Sequence, residues 1–381
     1  MDLTNVMELQ GTEIVADGVE PVSYTQTAGP PGPMCDQIRE GAAVPRWGLT
    51  PVHPRSVSLA LPDRVVTNAE LCEGLDTTPE WIEEKTGIRE RRFLGDNDNV
   101  TDLAIESAGK ALALAGIEAR DVDVLVVAST TPDWLMPSLG VIIADRLGIA
   151  SPRIVDITQH ACASSVYAIY TASCLLQEPG LENALVVCAE GISRVTGPDD
   201  RTTRIFFGDA AAAAVFSKTE PSAGLLSYDL GNTFSDAVHM ASPSQLCHER
   251  AVIGRELHSH YLQMDGRVVL REAPTRLPKS IAETLAAAGA EVPDISGFAL
   301  HQASAMMVRL IARTVGADLD RVAVTADTLG NTGAASPLTA LHKLALDGRA
   351  RQGDLIVLGA IGAGFLWGSM CFKLPYDISV E

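Results

Sequence analysis

The chain has 381 residues, 46% of them hydrophobic, and a formal net charge of −19. This length and hydrophobic content support a large buried core, whereas the acidic charge and the lack of a basic tract argue against nucleic-acid binding. The apolar runs are short or interrupted, residues 1–30 lack the regions of a secretion signal, and the seven cysteines form no paired framework. These features predict a cytoplasmic protein with no membrane segment.

Residues 1–52 are predicted to form a flexible or surface-draped N-terminal extension. They contain Pro30-Pro-Gly-Pro33, scattered glycines and acidic residues, and little hydrophobic periodicity. Such a composition buries too little apolar surface to order a segment on its own.

Beyond the extension, strand-like and helix-like patterns alternate along the chain. The first series predicts strand 122–130, helix 138–147, strand 153–157, a helix from Cys162 to about residue 176, and strand 183–189. The second series predicts strand 295–300, helix 303–315, strand 321–325, helix 334–346 and strand 354–359. Continuous Val/Ile/Leu strands that alternate with helices predict an α/β protein whose sheets are buried on both faces.

The repetition predicts two βαβαβ halves, residues 53–225 and 226–381, folded face to face. In this register Asn331 lies opposite Cys162, and His301 lies opposite the turn at 130–132. Equivalent strand-to-helix junctions of the two halves would then meet at one central site. We therefore expect Cys162, His301 and Asn331 to share that site.

Cys162 has the sequence context of a nucleophile. In Asp156-Ile-Thr-Gln-His-Ala-Cys-Ala-Ser-Ser165, a β-branched run gives way to a run of small residues typical of a helix. A Cys that opens a helix has its thiolate favoured by backbone N–H groups and the helix dipole. Most buried Cys residues are inert, so the hypothesis depends on the shared context: with His301 and Asn331, Cys162 could attack a thioester whose carbonyl is polarised.

Five ordered motifs then carry a family resemblance. They are Glu80-Trp-Ile-Glu-Glu-Lys-Thr-Gly-Ile-Arg-Glu-Arg-Arg92, Ile205-Phe-Phe-Gly-Asp-Ala210, His301-Gln-Ala303, Gly330-Asn-Thr332 and Gly362-Ala-Gly-Phe-Leu-Trp-Gly-Ser369. Through them the chain resembles a type III β-ketoacyl-acyl carrier protein synthase of the thiolase superfamily. The resemblance implies a thiolase-like five-layered αβαβα fold, and an enzyme that uses coenzyme A thioesters as substrates without a metal or other cofactor.

The resemblance also implies roles for the central residues. Cys162 would accept an acyl group from acyl-CoA, and His301 and Asn331 would bind the carbonyl of a malonyl-type thioester and promote its decarboxylation. The backbone N–H groups of Cys162 and Ala363 would form the oxyanion hole. The family has Gly where Ala363 stands, but a backbone donor survives that change. The implied reaction is a decarboxylative Claisen condensation with a malonyl group on an acyl carrier protein.

Five further residues receive roles from the resemblance. Trp81 would stack on the adenine of coenzyme A, and Lys85 and Arg201 would meet its phosphates; the family commonly has Arg at the Lys85 position. Met136 would cross the interface of a homodimer to line the partner's acyl pocket. Ile361 stands in the acyl pocket where the family has a bulky aromatic residue.

Departures from the family pattern leave the acyl donor and the carrier-protein contact open. Ala163, Ser164, Ser165 and Val166 follow the nucleophile, where the family has a small residue, Gly and Phe. Met306 stands where the family often has an Arg that meets the carrier protein, with Arg309 one turn further on. Other basic candidates, which could equally form a solvated face, are Arg89, Arg91, Arg92, Arg267, Arg271, Arg276 and Lys279.

Two alternatives to condensation stay open at this point. The first is transfer of the acyl group from Cys162 to a hydroxyl, an amine or a carrier-protein thiol. The second, from a different class, is a non-catalytic partner subunit or acyl-CoA-binding protein. The presence of Cys162, His301 and Asn331 together favours condensation.

One segment of the chain is rich in residue types that bind metal ions. Cys247, His248, His258 and His260 lie close in sequence, but their spacing fits no closed zinc pattern. We therefore expect no metal site.

Overall fold

Two mixed sheets form the framework of the protein. The computed structural model describes residues 48–241 and 261–381. Its strands are β1 (Val52–Ala60), β2 (Arg64–Thr67), β3 (Glu90–Phe93), β4 (Val124–Ala128), β5 (Arg153–Ile157), β6 (Asn183–Glu190), β7 (Ala210–Lys218), β8 (Gly224–Ser235), β9 (Val238–His239), β10 (Gln263–Met264), β11 (Ile295–Leu300), β12 (Leu355–Gly362) and β13 (Gly364–Lys373). Its helices are α1 (Asn68–Cys72), α2 (Pro79–Thr86), α3 (Val100–Ala115), α4 (Leu139–Leu147), α5 (Ser164–Leu175), α6 (Arg201–Arg204), α7 (Gly266–Ala288), α8 (Ala305–Val315), α9 (Ala326–Leu329) and α10 (Ser336–Leu346).

Two sequence predictions fall wholly or mostly outside the described residues. Of the predicted extension 1–52, only residues 48–52 are described, and Val52 is already the first residue of β1. Cys247, His248, His258 and His260 all lie outside the described residues.

Both sheets repeat one strand pattern. The first sheet has the order β1-β7-β6-β4-β5, with β4 parallel to β5 and β6, and β7 antiparallel to β6 and β1. The second has the order β11-β12-β13-β8, with β11 parallel to β12, and β13 antiparallel to β12 and β8. In the second sheet, a single parallel bridge joins Phe298 of β11 to Val322. Val322 thus occupies the position beside β11 that corresponds to the position of β5 beside β4 in the first sheet. The division of the chain into 53–225 and 226–381 stays a prediction.

Helices complete five layers. α3 and α4 cover the outer face of the first sheet, α5 and α10 lie between the two sheets, and α7 and α8 cover the outer face of the second. All five residues of β4 are buried, because helices cover both faces of its sheet. The predicted αβαβα architecture is confirmed.

The parallel strands determine where functional side chains gather. β5 leads into the turn that carries Cys162, and β11 ends at the residue before His301. β12 ends at Gly362, directly before Ala363. Because the carboxyl ends of parallel strands carry the ligand-binding loops of α/β proteins, these turns are the natural place for a site.

One predicted strand is wrong. Residues 321–325 form only the single bridge at Val322, and α9 follows at once. The buried side chain of Gln302 takes the place of a strand ladder: its Nε2 donates to the Ala323 carbonyl at 3.0 Å, and its Oε1 accepts from the Thr325 N–H at 2.8 Å. The strand predictions 153–157 and 295–300 are confirmed at both ends.

Replacing Gln302 with Leu should destabilise the protein. The change leaves the Thr325 N–H and the Ala323 carbonyl buried without these partners, which costs about 2–4 kcal/mol of unfolding free energy. Urea denaturation followed by circular dichroism measures this loss. The exposed Gln263 supplies the control, since Gln263→Leu should leave the unfolding free energy nearly unchanged. Equal stability of the two variants would contradict the role of Gln302.

Candidate active site

Cys162 lies in a single 3-10 turn, Ala161–Ala163, that connects β5 to α5. Its neighbour Ala161 has φ of 46°, in the left-handed region that residues other than glycine rarely adopt. The turn places the thiol at the amino end of α5. Burial raises the pKa of the Cys162 thiol to about 12, and the charge of Glu190 adds to the rise. The Cys162 side chain is therefore a neutral thiol at neutral pH.

Gly362 brings the end of β12 against this turn. A Cβ added there would lie 2.6 Å from the His160 carbonyl oxygen and 2.9 Å from the Cys162 backbone nitrogen. Real side chains do not tolerate such contacts with backbone atoms, so only glycine fits. The close approach brings Ala363, the next residue, to the cavity that Cys162 also lines.

His301 follows β11 and is held by hydrogen bonds at two points. Its backbone N–H donates to the Gly359 carbonyl at 2.7 Å, and its Nδ1 lies 2.6 Å from the Ser336 hydroxyl. Ser336 Oγ also accepts from the Gln302 N–H at 3.2 Å, so its own hydrogen is free to point at Nδ1. If that hydrogen is donated to Nδ1, the proton of the ring is on Nε2. Burial lowers the pKa of His301 to about 3, and the ring is neutral.

Asn331 is fixed by its backbone and by its side-chain oxygen. Its N–H donates to the Phe206 carbonyl at 2.7 Å, and its own carbonyl accepts from the Gly208 N–H at 3.1 Å. Its Oδ1 accepts from the Gly333 N–H at 3.0 Å and lies 4.0 Å from Cys162 Sγ. With Oδ1 assigned as the acceptor, the Nδ2 group is left as a donor.

Cys162, His301 and Asn331 line one cavity of about 720 Å³. Its wall is mostly apolar, with contributions from Ile192, Val195, Phe206, Phe207, Val238, Met240, Leu262, Met264, Val269, Leu270, Ile361 and Phe365. The structure therefore brings together the three residues that the duplication predicted to meet. An apolar wall around few polar groups is typical of a site for a partly apolar ligand.

Three predicted coenzyme A contacts lie together near this cavity. Trp81 and Lys85, one turn apart on α2, both line it. The Arg201 guanidinium lies 5.3 Å from the centre of the Trp81 ring, within the range of a cation–π contact. The three side chains thus combine an exposed aromatic face with two positive charges.

The structure also places the two predicted acyl-pocket residues and one of the basic candidates. Ile361 lines the cavity, whereas Met136 is 83% exposed and does not line the cavity of its own chain. Among the basic candidates Arg91 is fully buried, where it donates to Asn68 Oδ1 at 2.7 Å and to the Ile205 carbonyl at 2.8 Å. Arg91 therefore cannot contact a carrier protein, because its charge serves internal hydrogen bonds.

Sequence reasoning missed Glu190 and Arg313. Glu190, the last residue of β6, is 1% exposed and lines the cavity. Burial raises its pKa to about 7, against hydrogen bonds from Thr131 and Thr130 that lower it. An acid that ends an otherwise apolar strand was the available signal. Arg313 lines the cavity on the same face of α8 as Met306, Arg309 and Leu310, a helical spacing visible in the sequence.

Two classes of feature do not occur in the described part of the chain. Residues 48–241 and 261–381 contain no group of three or more His, Cys, Asp or Glu side chains arranged to hold a metal ion. Within the same residues, no helix has the length and apolar character needed to cross a membrane.

Two family models match this chain. The model described as 3-oxoacyl-[acyl-carrier-protein] synthase III matches residues 155–233, and that of its C-terminal part matches residues 285–374. A curated relative, β-ketoacyl-[acyl-carrier-protein] synthase III of Laribacter hongkongensis, is 38% identical over 312 residues, which cover 81% of this chain and 95% of the relative. The matched ranges include Cys162, His301 and Asn331.

Solved structures agree with this assignment. The 3-oxoacyl-(acyl carrier protein) synthase III of Pseudomonas aeruginosa superposes with a TM-score of 0.78 at 31% identity, covering 86% of this chain and 99% of that one. The priming β-ketosynthase of the R1128 polyketide pathway superposes with a TM-score of 0.79 at 30% identity, covering 88% and 99%. With its fold, its site and these relatives, the chain belongs to the β-ketoacyl-acyl carrier protein synthase III family of the thiolase superfamily.

Proposed function

We propose that this protein is an acyl-thioester condensing enzyme. It loads an acyl group from acyl-CoA onto Cys162 and condenses it with a malonyl-type thioester on an acyl carrier protein, with loss of CO2. The observation that carries the proposal is the convergence of Cys162, His301 and Asn331 on one largely apolar cavity. The names of the relatives, β-ketoacyl-acyl carrier protein synthase III, support the same reaction.

In the first half-reaction, Cys162 attacks the carbonyl carbon of the acyl-CoA thioester. Negative charge develops on the carbonyl oxygen, and the backbone N–H groups of Cys162 and Ala363 stabilise it. The contact of Gly362 with the Cys162 backbone supports this pairing, because residue 363 follows immediately. One such donor is worth about 3 kcal/mol in comparable sites. Coenzyme A then leaves as the thiol.

In the second half-reaction, the malonyl carbonyl oxygen lies between two donors. Nε2–H of His301 and Nδ2 of Asn331 stabilise the enolate that forms as CO2 departs, and this carbanion attacks the acyl group on Cys162. The Ser336 and Gly333 hydrogen bonds support these roles, because they leave the donor side of each group available. Both donors are neutral, so no buried charge has to be created before the substrate binds.

Substrate binding follows from the groups at the cavity. We propose that Trp81 stacks on the adenine of coenzyme A and that Lys85 and Arg201 bind its phosphates. The proposed reaction needs no metal or cofactor. Arg309 and Arg313 line the same cavity and supply local positive charge for an acidic carrier protein, despite a net charge of −19. The cytoplasmic location expected from the sequence is part of this proposal.

A homodimer is the second part of the proposal. In the loop after β4, Trp134, Leu135 and Met136 are 62%, 76% and 83% exposed, which excludes packing of Met136 in the core of its own subunit. Asp133 anchors the loop by accepting from the N–H groups of Val100 at 3.2 Å and Thr101 at 2.7 Å. A firmly held loop with an apolar tip is typical of an interface. Met136 would then reach the acyl pocket of the partner.

Two alternatives make different demands on the site. Plain acyl transfer would use Nε2 of His301 as the base for an acceptor, whereas condensation would use the same nitrogen as a hydrogen-bond donor. A non-catalytic acyl-CoA-binding protein would have no need for Cys162 at the amino end of α5 with Asn331 beside it. Condensation gives a role to each of the three groups.

The half-reactions separate these functions. Cys162→Ala should gain no acyl mass from any acyl-CoA, as measured by intact mass spectrometry. His301→Ala and Asn331→Ala should still load an acyl group but release CO2 from a malonyl thioester at least about 100-fold more slowly, since each removes one donor to the enolate. Equal loss of both half-reactions would favour plain acyl transfer, and acyl mass on Cys162→Ala would refute the nucleophile.

The oxyanion hole has its own test at Gly362. Gly362→Ala should slow acyl loading by about 100-fold or more, because the new Cβ displaces the Cys162 N–H from the carbonyl oxygen. The same-strand control is Gly359→Ala, whose Cβ meets only side-chain methyl groups of Leu277, Leu300 and Ile281. Loading rates follow from time courses of intact mass. Unchanged loading in Gly362→Ala would contradict the proposed hole.

The interface is tested through Met136. Met136→Phe should shift loading toward shorter acyl groups and Met136→Ala toward longer ones, because residue 136 would line the pocket of the partner. Gel filtration with light scattering should show a dimer for both variants. The control is Leu346→Ala, which removes an exposed apolar side chain at the end of α10, away from the loop, and should leave both the dimer and the acyl profile unchanged. Monomeric elution, or an acyl profile indifferent to residue 136, would refute this part of the proposal.

A further inference from the structure

Ser336 is a fully buried serine in contact with the imidazole of His301. It is the first residue of α10 and follows Asn331 through the 3-10 turn Gly333–Ala335. Its Oγ lies 2.6 Å from His301 Nδ1. The segment that carries Asn331, one proposed donor to the enolate, therefore also contacts His301, the other.

The Ser336 hydroxyl has two hydrogen-bond contacts among the described residues. It accepts from the backbone N–H of Gln302 at 3.2 Å, and it lies against Nδ1 of His301. Because an N–H group can only donate, the first contact uses the oxygen as an acceptor. Within the described part of the chain, the hydrogen of the hydroxyl then has one acceptor in reach, which is Nδ1.

The buried side chain of Gln302 fixes the direction of its own backbone N–H. The side-chain amide donates to two backbone carbonyls and accepts from two backbone N–H groups, those of Leu300, Ala323, Thr325 and Ala326. These four hydrogen bonds use both donors and both acceptor sites of the amide. The Gln302 backbone therefore cannot turn its N–H away from Ser336 without breaking this network.

The two neutral tautomers of His301 place different demands on Ser336. With the ring hydrogen on Nε2, the hydroxyl donates to Nδ1, and every group in the contact has a partner. With the ring hydrogen on Nδ1, Ser336 Oγ accepts twice, and its own hydrogen is buried without an acceptor among the described residues. A buried unsatisfied donor is costly, so the first tautomer should be favoured on the order of 10-fold.

We propose that Ser336 is a positioning residue that fixes His301 in the Nε2–H tautomer. The proposal rests on the proposed function, because Nε2–H is the donor that would stabilise the enolate. A nitrogen that already carries a hydrogen cannot accept a proton from a hydroxyl or amine substrate. Ser336 thereby directs the site toward condensation and away from acyl transfer that uses His301 as a base.

The first experiment measures the tautomer of His301 in the wild-type protein without any substrate. 15N NMR of protein labelled at its eight histidines separates ring nitrogens with and without a hydrogen. The signals of His301 are those missing from His301→Ala. At pH 7, Nε2 should carry the hydrogen and Nδ1 should not. A hydrogen on Nδ1 would overturn the proposal.

The second experiment separates positioning from a general structural role. In Ser336→Ala, the ring loses its preferred tautomer and its orientation, so CO2 release from a malonyl thioester should be about 10-fold slower. Acyl loading of Cys162, followed by intact mass, should stay within about 2-fold of wild type. Ser336→Thr keeps the hydroxyl and should restore CO2 release. Equal loss of both half-reactions in Ser336→Ala, or unchanged CO2 release, would refute the positioning role.

Ser173→Ala is the matched control. Ser173 is a buried serine of α5 whose hydroxyl donates to the Ile169 carbonyl at 2.8 Å, and it makes no hydrogen bond to His301. This variant should keep the wild-type His301 signals and both half-reaction rates. A loss of CO2 release equal to that of Ser336→Ala would show that any buried hydroxyl has this effect and would refute the proposal.

Failure of this inference can be distinguished from failure of the proposed function. A wild-type protein that releases no CO2 from any malonyl thioester would contradict condensation, whereas the NMR measurement would still decide the tautomer. A wild-type protein that releases CO2 with the hydrogen on Nδ1 would support condensation and overturn the role of Ser336. The NMR result on wild type also decides the proposal if Ser336→Ala does not fold.

Discussion

The packing of the end of β12 against the turn that carries Cys162 is the contact on which the active site depends. Gly362 allows the two backbones to meet, because a Cβ would stand 2.6 Å from the His160 carbonyl oxygen. Through this contact the second sheet reaches the amino end of α5, which belongs to the first half of the chain. The nucleophile therefore lies beside His301 and Asn331, which the second half supplies.

Burial then determines the charge state of the site. It raises the pKa of Cys162 to about 12, lowers that of His301 to about 3 and raises that of Glu190 to about 7. The donors proposed to face the substrate are neutral N–H groups of His301 and Asn331. Such preorganised dipoles stabilise a developing oxyanion or enolate without first desolvating a charge of their own.

Two carboxyl groups hold the loop after β4, the buried one of Glu190 and that of Asp133 within the loop. Glu190 holds the backbone at Thr130, and Asp133 accepts from the first residues of α3. The loop tip, with Trp134 and Met136, follows these two anchored positions and is exposed.

Much of the fold and the central site could be predicted from the sequence. The repeated order of strands and helices placed Asn331 opposite Cys162 and His301 opposite the turn at 130–132, and two halves of equal topology bring such junctions together. Residues 321–325 were predicted as a strand because propensity cannot show that Gln302 supplies their hydrogen bonds. Glu190 was missed because its partner Thr130 lies 60 residues away. The sequence by itself thus determined most of the order of elements and predicted that Cys162, His301 and Asn331 meet, because both depend on local pattern and repetition. Tertiary structure decided protonation states and donor directions, because burial and hydrogen bonds come from residues distant in the chain.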